Sequence, residues 1–289
     1  MSEKNLQNIC PCERQFDLSR HSTIGCGGYA EVAYFPQSIE QAVALITSLH
    51  AKNTPFYIVG NMSNVLPKDG ISKRVFVCMK GLKEMQLSQH FFGAGLTSGA
   101  LLAACKKEGL SGLEFLEGIP CTLGGALFMN AGVQGAYIAD VVDDVLIFDG
   151  EHVRVLAQKD CAYGYKHSRF MQESWTILGA HLRLQAKSRQ EVLQKLDFYK
   201  QRRAHLPKGK SMGCVFKNAD GVPAAKYIDG AGLKGLRVGG AVVSKIHANF
   251  IINDNNATAQ EIKTLITVVK NAVYAQYKIW LEEEIRLLE

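Results

Sequence analysis

The sequence has no apolar run long enough to span a lipid bilayer and no large excess of charge of one sign. A membrane-spanning helix needs about 20 apolar residues, whereas the longest apolar runs, such as 42–46, are far shorter, and the first twenty residues are polar and charged. The net charge of +6 is mild, and lysines and arginines are spread along the chain. We therefore expect a cytoplasmic protein that acts on an anionic small molecule, with neither nucleic acid nor membrane as a partner. We also expect it to be a monomer.

Signals for metal binding are also scarce, although the chain has eight cysteines. Cys10 and Cys12 form a lone C-P-C with no second pair and no histidine at ligand spacing, so no metal site is expected. Because the first twenty residues do not have the pattern of a signal peptide, we expect the cysteines to be free thiols.

The composition is typical of a globular protein with many tight turns, at 47% hydrophobic and 21% charged residues with 27 glycines. A length of 289 residues is enough for two or three domains.

Hydrophobic periodicity predicts alternating strands and helices after an extended lead-in at 1–20. The predicted strands are 30–35, 56–59, 74–79, 141–148, 152–156, 176–184, 239–244 and 249–252. The predicted helices are 39–52, 98–108, a short helix after residue 122, 188–203, 223–229 and 258–277. Capping boxes that predict helix starts are Ser38 with Gln41, Ser188 with Glu191, and Thr258 with Glu261.

The stretch P-K-G-K-S-M-G-C-V-F-K-N at 207–218 combines a glycine turn, a thiol, a cation and an amide. If it is a strand, alternation places the side chains of Cys214, Phe216 and Asn218 on one face. Cys214 and Asn218 then line one cavity. The alternative is that Cys214 is only a small buried hydrophobic residue.

Two glycine-rich loops are further candidates. The first, G-N-M-S-N-V-L at 60–66, follows a predicted strand and is of the kind that presents backbone N–H groups to a phosphate, although surface turns use the same residues. The second, at 112–132, leads into the short helix and allows a large planar or phosphorylated ligand to approach the backbone closely.

Five motifs in order resemble one family, the UDP-N-acetylenolpyruvoylglucosamine reductases of peptidoglycan precursor synthesis, in its shorter form. They are G-L-E-F-L-E-G-I-P-C-T-L-G-G-A-L-F-M-N-A-G (112–132), G-C-V-F-K-N (213–218), A-G-L-K-G (231–235), V-S-K-I-H-A-N-F-I-I-N (243–253) and L-E-E-E-I-R (281–286). The resemblance covers about residues 20 to 286. It implies an α+β fold in which two FAD-binding subdomains of the vanillyl-alcohol-oxidase-like type, 1–80 and 81–187, precede a C-terminal α+β substrate domain, 188–289.

The resemblance also implies a reaction and its residues. NADPH reduces FAD, a hydride passes to C3 of the enolpyruvyl ether of the UDP-sugar, and an acid protonates C2. The implied catalytic residues are Cys214 as proton donor, Glu284 and Lys166. The implied FAD-binding residues are Gly60, Asn61, Ser63, Asn64, Gly118, Ile119, Thr122, Gly124, Gly125, Asn130, Ala131 and Gly132. The implied substrate-binding residues are Asn218, Lys217, His247, Arg202, Arg203, Tyr165 and Arg169.

Alternatives remain for three of these residues. Arg202 and Arg203 are otherwise the solvated end of their helix, and Glu284 is otherwise a solvated charge near the end of the chain.

Three positions depart from the family pattern. Met62 and Cys121 stand where the family usually has glycine, and each adds a side chain where a close approach of the backbone is expected. Lys166 stands where the family has arginine, which keeps the charge but loses the bidentate geometry, and Arg169 is an alternative for this role.

Two other functions stay open at this stage. One is an FAD-dependent oxidase of the same fold, and the other is a non-catalytic protein that binds a UDP-sugar.

Overall fold

The computed structural model describes residues 6–133 and 135–288. The helices are α1 (Leu18–His21), α2 (Ile39–Ala51), α3 (Ser98–Glu108), α4 (Leu123–Met129), α5 (Arg189–Arg203), α6 (Ala224–Gly230) and α7 (Ala259–Tyr277). The strands are β1 (Cys12–Asp17), β2 (Tyr29–Tyr34), β3 (Phe56–Val59), β4 (Val65–Pro67), β5 (Ile71–Ser72), β6 (Val75–Cys78), β7 (Met85–Gln86), β8 (Phe91–Gly93), β9 (Leu110–Ser111), β10 (Gly132–Val133), β11 (Ala136–Tyr137), β12 (Val142–Phe148), β13 (Val153–Ala157), β14 (Thr176–Leu182), β15 (Gln185–Ala186), β16 (Ser211–Cys214), β17 (Arg237–Val238), β18 (Ala241–Val243), β19 (Phe250–Asn253) and β20 (Arg286–Leu288).

The chain divides into two units. The first unit lies within residues 6–14, 32–61 and 74–204, and the second within 15–31, 62–73 and 205–288. The division into 1–80, 81–187 and 188–289 stays a prediction.

The first unit contains an antiparallel sheet in the order β13-β12-β14-β8-β7. The β12–β13 hairpin closes where predicted, because Asp149 Oδ1 accepts the N–H groups of Glu151 and His152 and Gly150 adopts a φ of +108°. Leu101 of α3, Leu123 of α4 and other apolar residues of these helices form one core with the buried residues of this sheet.

A second core of this unit surrounds α2. Strand β6 pairs in parallel with β3 and with the end of β2, and α2 is the crossover between β2 and β3. Leu45, Ile46 and Leu49 of α2 are fully buried in this core. The hydroxyl of Ser38 caps α2 as predicted, but the predicted capping box with Gln41 is wrong, because Gln41 Oε1 accepts the N–H of Gln37 instead.

The second unit contains an antiparallel sheet in the order β16-β19-β18-β17 and a parallel pair, β20 with β4. Helix α7 packs against β17 and β18, and its predicted capping box of Thr258 and Glu261 is present. Asp69 adds a second cap, since its two carboxylate oxygens accept the N–H groups of Ala259 and Gln260, each at 2.9 Å.

The predicted strands and helices are present, with ends that differ by one or two residues. Besides the capping box of Ser38 with Gln41, two other local predictions are wrong. Residues 18–21 form a helical turn, not part of an extended lead-in, because Asp17 caps them through the N–H of Ser19. The strand through Cys214 ends at Cys214 and does not continue to Asn218.

Candidate active site

Cys214 ends β16 beside an irregular point in the strand. Ser211 pairs with Ile252 and Cys214 pairs with Phe250, so one extra residue lies on the β16 side. Gly213 lies at this irregular point and adopts a φ of +76°, in the left-handed region that favours glycine. Cys214 is half-buried, whereas most of the cysteines are buried.

The backbone after Cys214 is bonded to Asn249 on one side and to residues 282–284 on the other. The N–H of Phe216 donates to Asn249 Oδ1 at 2.9 Å, and Asn249 Nδ2 donates to the carbonyl of Phe216 at 2.8 Å. Val215 and Phe216 are consecutive and both lie in the core of the second unit. Phe216 belongs to this core and does not line a cavity, whereas the cavity shared by Cys214 and Asn218 stays a prediction.

The backbone of Glu284 lies next to the Cys214 strand within the second unit. The N–H of Glu284 donates to the carbonyl of Val215 at 2.8 Å, and Asn64 Nδ2 donates to the carbonyl of Glu284 at 3.1 Å. The N–H of Arg286 returns to the carbonyl of Asn64 at 2.9 Å. Three residues selected from the sequence, Asn64, Cys214 and Glu284, are thus brought together.

Lys217 and Asn218 both have partners within the protein. Lys217 Nζ lies 2.5 Å from Glu282 Oε1, and its N–H donates to the carbonyl of Glu282. Asn218 is exposed, and its Oδ1 accepts the N–H of Ala224 at 3.4 Å, at the start of α6.

His247 is held next to the strand that pairs with Cys214. Its ring lies edge-on to Phe250, with centroids 5.0 Å apart, and its Nδ1 accepts the N–H of Asn249 at 3.3 Å. Burial lowers the pKa of His247 below its ordinary value of 6.5, and the nearby His205 and Lys234 lower it further. His205 and Lys234 were not selected from the sequence, since only the fold shows that they lie near His247.

The two glycine-rich loops are in contact within the first unit. Asn61 Nδ2 donates to the carbonyl of Pro120 at 2.8 Å. A Cβ atom on Gly60 would lie 2.2 Å from Thr122 Oγ1, so only glycine fits there. Thr122 in turn caps α4, because its Oγ1 accepts the N–H of Gly125 at 3.3 Å.

The first N–H groups of α4 are already used within the protein. Leu123 N–H donates to the carbonyl of Leu96 and Gly124 N–H to that of Ala94, both at 2.8 Å. By contrast with those of α4, the backbone N–H groups of residues 61–64 donate to no other residue within the described part of the chain. Successive backbone N–H groups of this kind are donors that a phosphate can accept.

The two departures from the glycine pattern have different structures. Met62 adopts a φ of +45°, as a glycine would, while its side chain is buried with 4% exposed. Cys121 has no left-handed φ, and its side chain is buried in a core with Leu123 and Ala126.

The segment 163–170 is fixed against α4. Asn130 ends α4 with a φ of +44°, and its Nδ2 donates to the carbonyl of Gly164 at 2.8 Å. The hydroxyl of Ser168 donates to the carbonyl of Phe128 at 2.6 Å. The predicted flavin residue Asn130 thus also positions the segment that carries Tyr165 and Lys166.

Lys166 and Arg169 occupy different surroundings in this segment. Lys166 has a φ of +51° in the turn between Gly164 and His167, which exchange two backbone hydrogen bonds. Arg169 lies over the ring of Trp175 at 4.8 Å, with its Nε 3.4 Å from the carboxylate of Glu173. Tyr165, in the same turn, is exposed.

Arg202 and Arg203 are adjacent but make different contacts. Arg202 lies over the ring of Phe198, one turn earlier in α5, at 4.7 Å. Arg203 Nη2 donates to the carbonyl of Gly118 at 3.2 Å. Arg203 therefore contacts a residue that was selected for flavin binding.

A cavity of about 320 Å³ in the first unit contains none of the predicted site residues. Its lining residues are Gly112, Glu114, Phe115, Ala136, Lys195, Phe198 and Tyr199. Across residues 6–133 and 135–288 no group of three or more histidine, cysteine or acidic side chains is arranged to hold a metal. No helix in these ranges is long and apolar enough to cross a membrane.

Comparisons with known proteins agree with the resemblance in the sequence. Residues 204–288 match the profile of the UDP-N-acetylenolpyruvoylglucosamine reductase C-terminal domain, and residues 30–155 match that of an FAD binding domain. The UDP-N-acetylenolpyruvoylglucosamine reductase of Geobacter metallireducens is 37% identical over 281 residues, which are 95% of this chain and 93% of that protein. That of Chlamydia pneumoniae is also 37% identical, over 96% of this chain and 92% of its own length.

The fold agrees as well. The crystal structure of the Thermus caldophilus reductase superposes with a TM-score of 0.85 at 32% identity and covers 97% of this chain and all of its own. The predicted fold class, an FAD-binding fold followed by a C-terminal α+β domain, is confirmed. The chain belongs to the UDP-N-acetylenolpyruvoylglucosamine reductase family.

Proposed function

We propose that this chain is an FAD-dependent enzyme that reduces UDP-N-acetylglucosamine enolpyruvate to UDP-N-acetylmuramate, with NADPH as reductant, in peptidoglycan precursor synthesis. The observation that carries the proposal is similarity to reductases of this name over nearly the full length of both chains. The match of residues 30–155 to an FAD binding domain supports the cofactor. The cytoplasmic location and the monomeric state stay predictions.

FAD fits the residues of the two glycine-rich loops. When bound, FAD supplies the hydride that NADPH has delivered and that C3 of the enol ether receives. The N–H groups of the 60–64 loop are the proposed donors for the FAD phosphates. At position 60 only glycine fits beside Thr122, because a Cβ atom there would clash. The 118–132 stretch faces the flavin ring in this proposal.

The proposed substrate is an anion with a diphosphate and a carboxylate. Amide, imidazole and cationic donors suit these groups, and Asn218, His247 and Arg202 are the proposed contacts. Lys217 contributes less in this proposal, because Glu282 already neutralises its charge at 2.5 Å. Tyr165 and Arg169 are further proposed contacts.

The proposed proton donor to C2 is the thiol of Cys214. A thiol with an ordinary pKa of about 8.5 gives up a proton more readily than a hydroxyl does. The irregular point at Gly213 leaves Cys214 partly open to solvent, which allows the thiol to recover its proton after each turnover. In this proposal Glu284 orients the donor, and Lys166 stabilises the negative charge that develops on the substrate.

The test separates the two half-reactions by anaerobic stopped-flow absorbance of the flavin. In Cys214→Ala, reduction by NADPH stays close to wild type, and reoxidation by the enolpyruvyl substrate slows by a factor of about 100 or more, as expected for loss of a positioned acid. Cys214→Ser restores much of the rate. Cys12→Ala is the matched control, because Cys12 is also half-buried and has no proposed role.

Two results contradict parts of the proposal. If Cys214→Ala slows neither half-reaction, Cys214 is a packing residue and the proton comes from another group. If the wild-type protein binds no FAD, or its flavin is not reoxidised by the substrate, the proposed reaction itself is wrong.

A further inference from the structure

The loop at 118–121 is fixed by hydrogen bonds to each of its carbonyl groups. Their donors are Arg203 Nη2 to Gly118 O (3.2 Å), Ser98 Oγ to Ile119 O (2.5 Å), Asn61 Nδ2 to Pro120 O (2.8 Å) and Ser98 N to Cys121 O (3.0 Å). A loop tied at every carbonyl keeps one conformation. Of these donors, Arg203 is the one that brings a charge.

Arg203 also packs directly on Gly118. A Cβ atom on Gly118 would lie 3.1 Å from Arg203 Nε and 3.6 Å from Arg203 Cδ, so the arginine covers the face where a side chain would start. Gly118 has a φ of +72°, which a residue with a side chain rarely adopts. The contact therefore packs against a turn that glycine adopts without strain and that other residues rarely adopt.

Helix α5, which carries Arg203, is held in place by contacts of its own. Its first turn is closed by the capping box of Ser188 and Glu191, and Lys195 Nζ donates to Ser111 Oγ at 2.8 Å. Arg202, one residue earlier, lies instead over Phe198. Of the two arginines, only Arg203 is seen to contact the loop within the described residues.

We infer that Arg203 is a positioning residue that fixes the 118–122 loop for FAD, and not a contact of the UDP-sugar. The inference rests on the proposed function, since it takes this loop to be part of the FAD site. Burial raises the pKa of the Cys121 thiol to about 12, and the charge of Arg203 opposes a part of this rise.

The test measures FAD binding by apoprotein, through the quenching of flavin fluorescence, in three variants. Arg203→Met raises the Kd for FAD about tenfold, as expected for a lost hydrogen bond from a charged donor. Arg203→Lys keeps the charge but not the fork of donors and recovers part of the affinity. Arg202→Met, the matched control, binds FAD like wild type.

Hydrogen exchange of the 118–122 amides gives a second readout that does not depend on FAD. Faster exchange in Arg203→Met but not in Arg202→Met, at equal melting temperature of the apoproteins, supports positioning. An unchanged Kd and unchanged exchange in Arg203→Met overturn the inference, and so does a raised substrate KM at unchanged Kd for FAD. Failure of the wild-type protein to bind FAD refutes the proposed function instead, and is distinguished because all variants then fail alike.

Discussion

Met62 combines a glycine-like backbone with a buried side chain, and replacing it by glycine sets two effects against each other. Met62→Gly relieves a left-handed conformation with a φ of +45°, which stabilises the protein by about 1–2 kcal/mol. It also removes a side chain that is 4% exposed, which costs about 2–4 kcal/mol. The extra freedom of glycine in the unfolded chain costs about 0.5–1 kcal/mol more.

The free energy lost with the buried side chain exceeds the free energy gained from the relaxed backbone, so we expect Met62→Gly to destabilise the apoprotein by about 1–3 kcal/mol. The melting temperature should fall by roughly 5 °C, since 1 kcal/mol corresponds to about 2–4 °C for a domain of this size. Circular dichroism during heating measures this shift.

Lys278→Gly is the control for the backbone effect, with only the exposed contacts of the Lys278 ammonium to Ala275 and Tyr274 lost besides. Lys278 ends α7 with a φ of +59° and is exposed, so glycine relieves the same conformation without loss of burial. It should raise the melting temperature by about 2 °C. If Met62→Gly also raises the melting temperature, the strain at Met62 exceeds the value of its burial, and the reasoning is refuted.

Two further predictions concern the loop contact and pH. Gly60→Ala places a Cβ atom 2.2 Å from Thr122 Oγ1, so it should destabilise the apoprotein by about 1–3 kcal/mol and weaken FAD binding. Urea unfolding measures the stability and titration with FAD measures the affinity. Unchanged values of both refute this prediction. The pKa of His247 is lowered in the folded protein, so below pH 6.5 the unfolded chain takes up a proton that the folded chain does not, and stability is lost as the pH falls. His247→Gln should therefore make the melting temperature depend less on pH between about 7.5 and 5.5. An unchanged dependence contradicts this prediction.

Much of the fold could be predicted because its signals are local. The capping box of Thr258 and Glu261 starts α7 where expected, and Asp149 with Gly150 forms the hairpin turn. The second cap of α7 by Asp69 comes from a residue 190 positions earlier, and periodicity carries no information about such a contact.

The candidate site shows the same limit. The sequence pointed to Cys214, but it did not predict the extra residue at Gly213 that shifts the register, nor the side chain of Asn249 that binds the backbone of Phe216. The contact of Arg203 with Gly118 spans 85 positions and became visible only in the fold. Motif order indicates which residues matter, whereas their partners depend on packing between distant segments.

The proposed choice of Cys214 as acid also follows from comparing the cysteines. Burial raises the pKa of Cys10 and Cys161 to about 11 and that of Cys26, Cys105 and Cys121 to about 12, and it raises the pKa of Cys78 as well. A thiol of this kind holds its proton and does not exchange it readily with solvent. Cys12 and Cys214 are half-buried, and of these two only Cys214 has the backbone of Glu284 bonded to the next residue along its strand. A thiol that donates a proton in each turnover must both release and regain it, so the structure favours Cys214 over the buried thiols for the role that we propose.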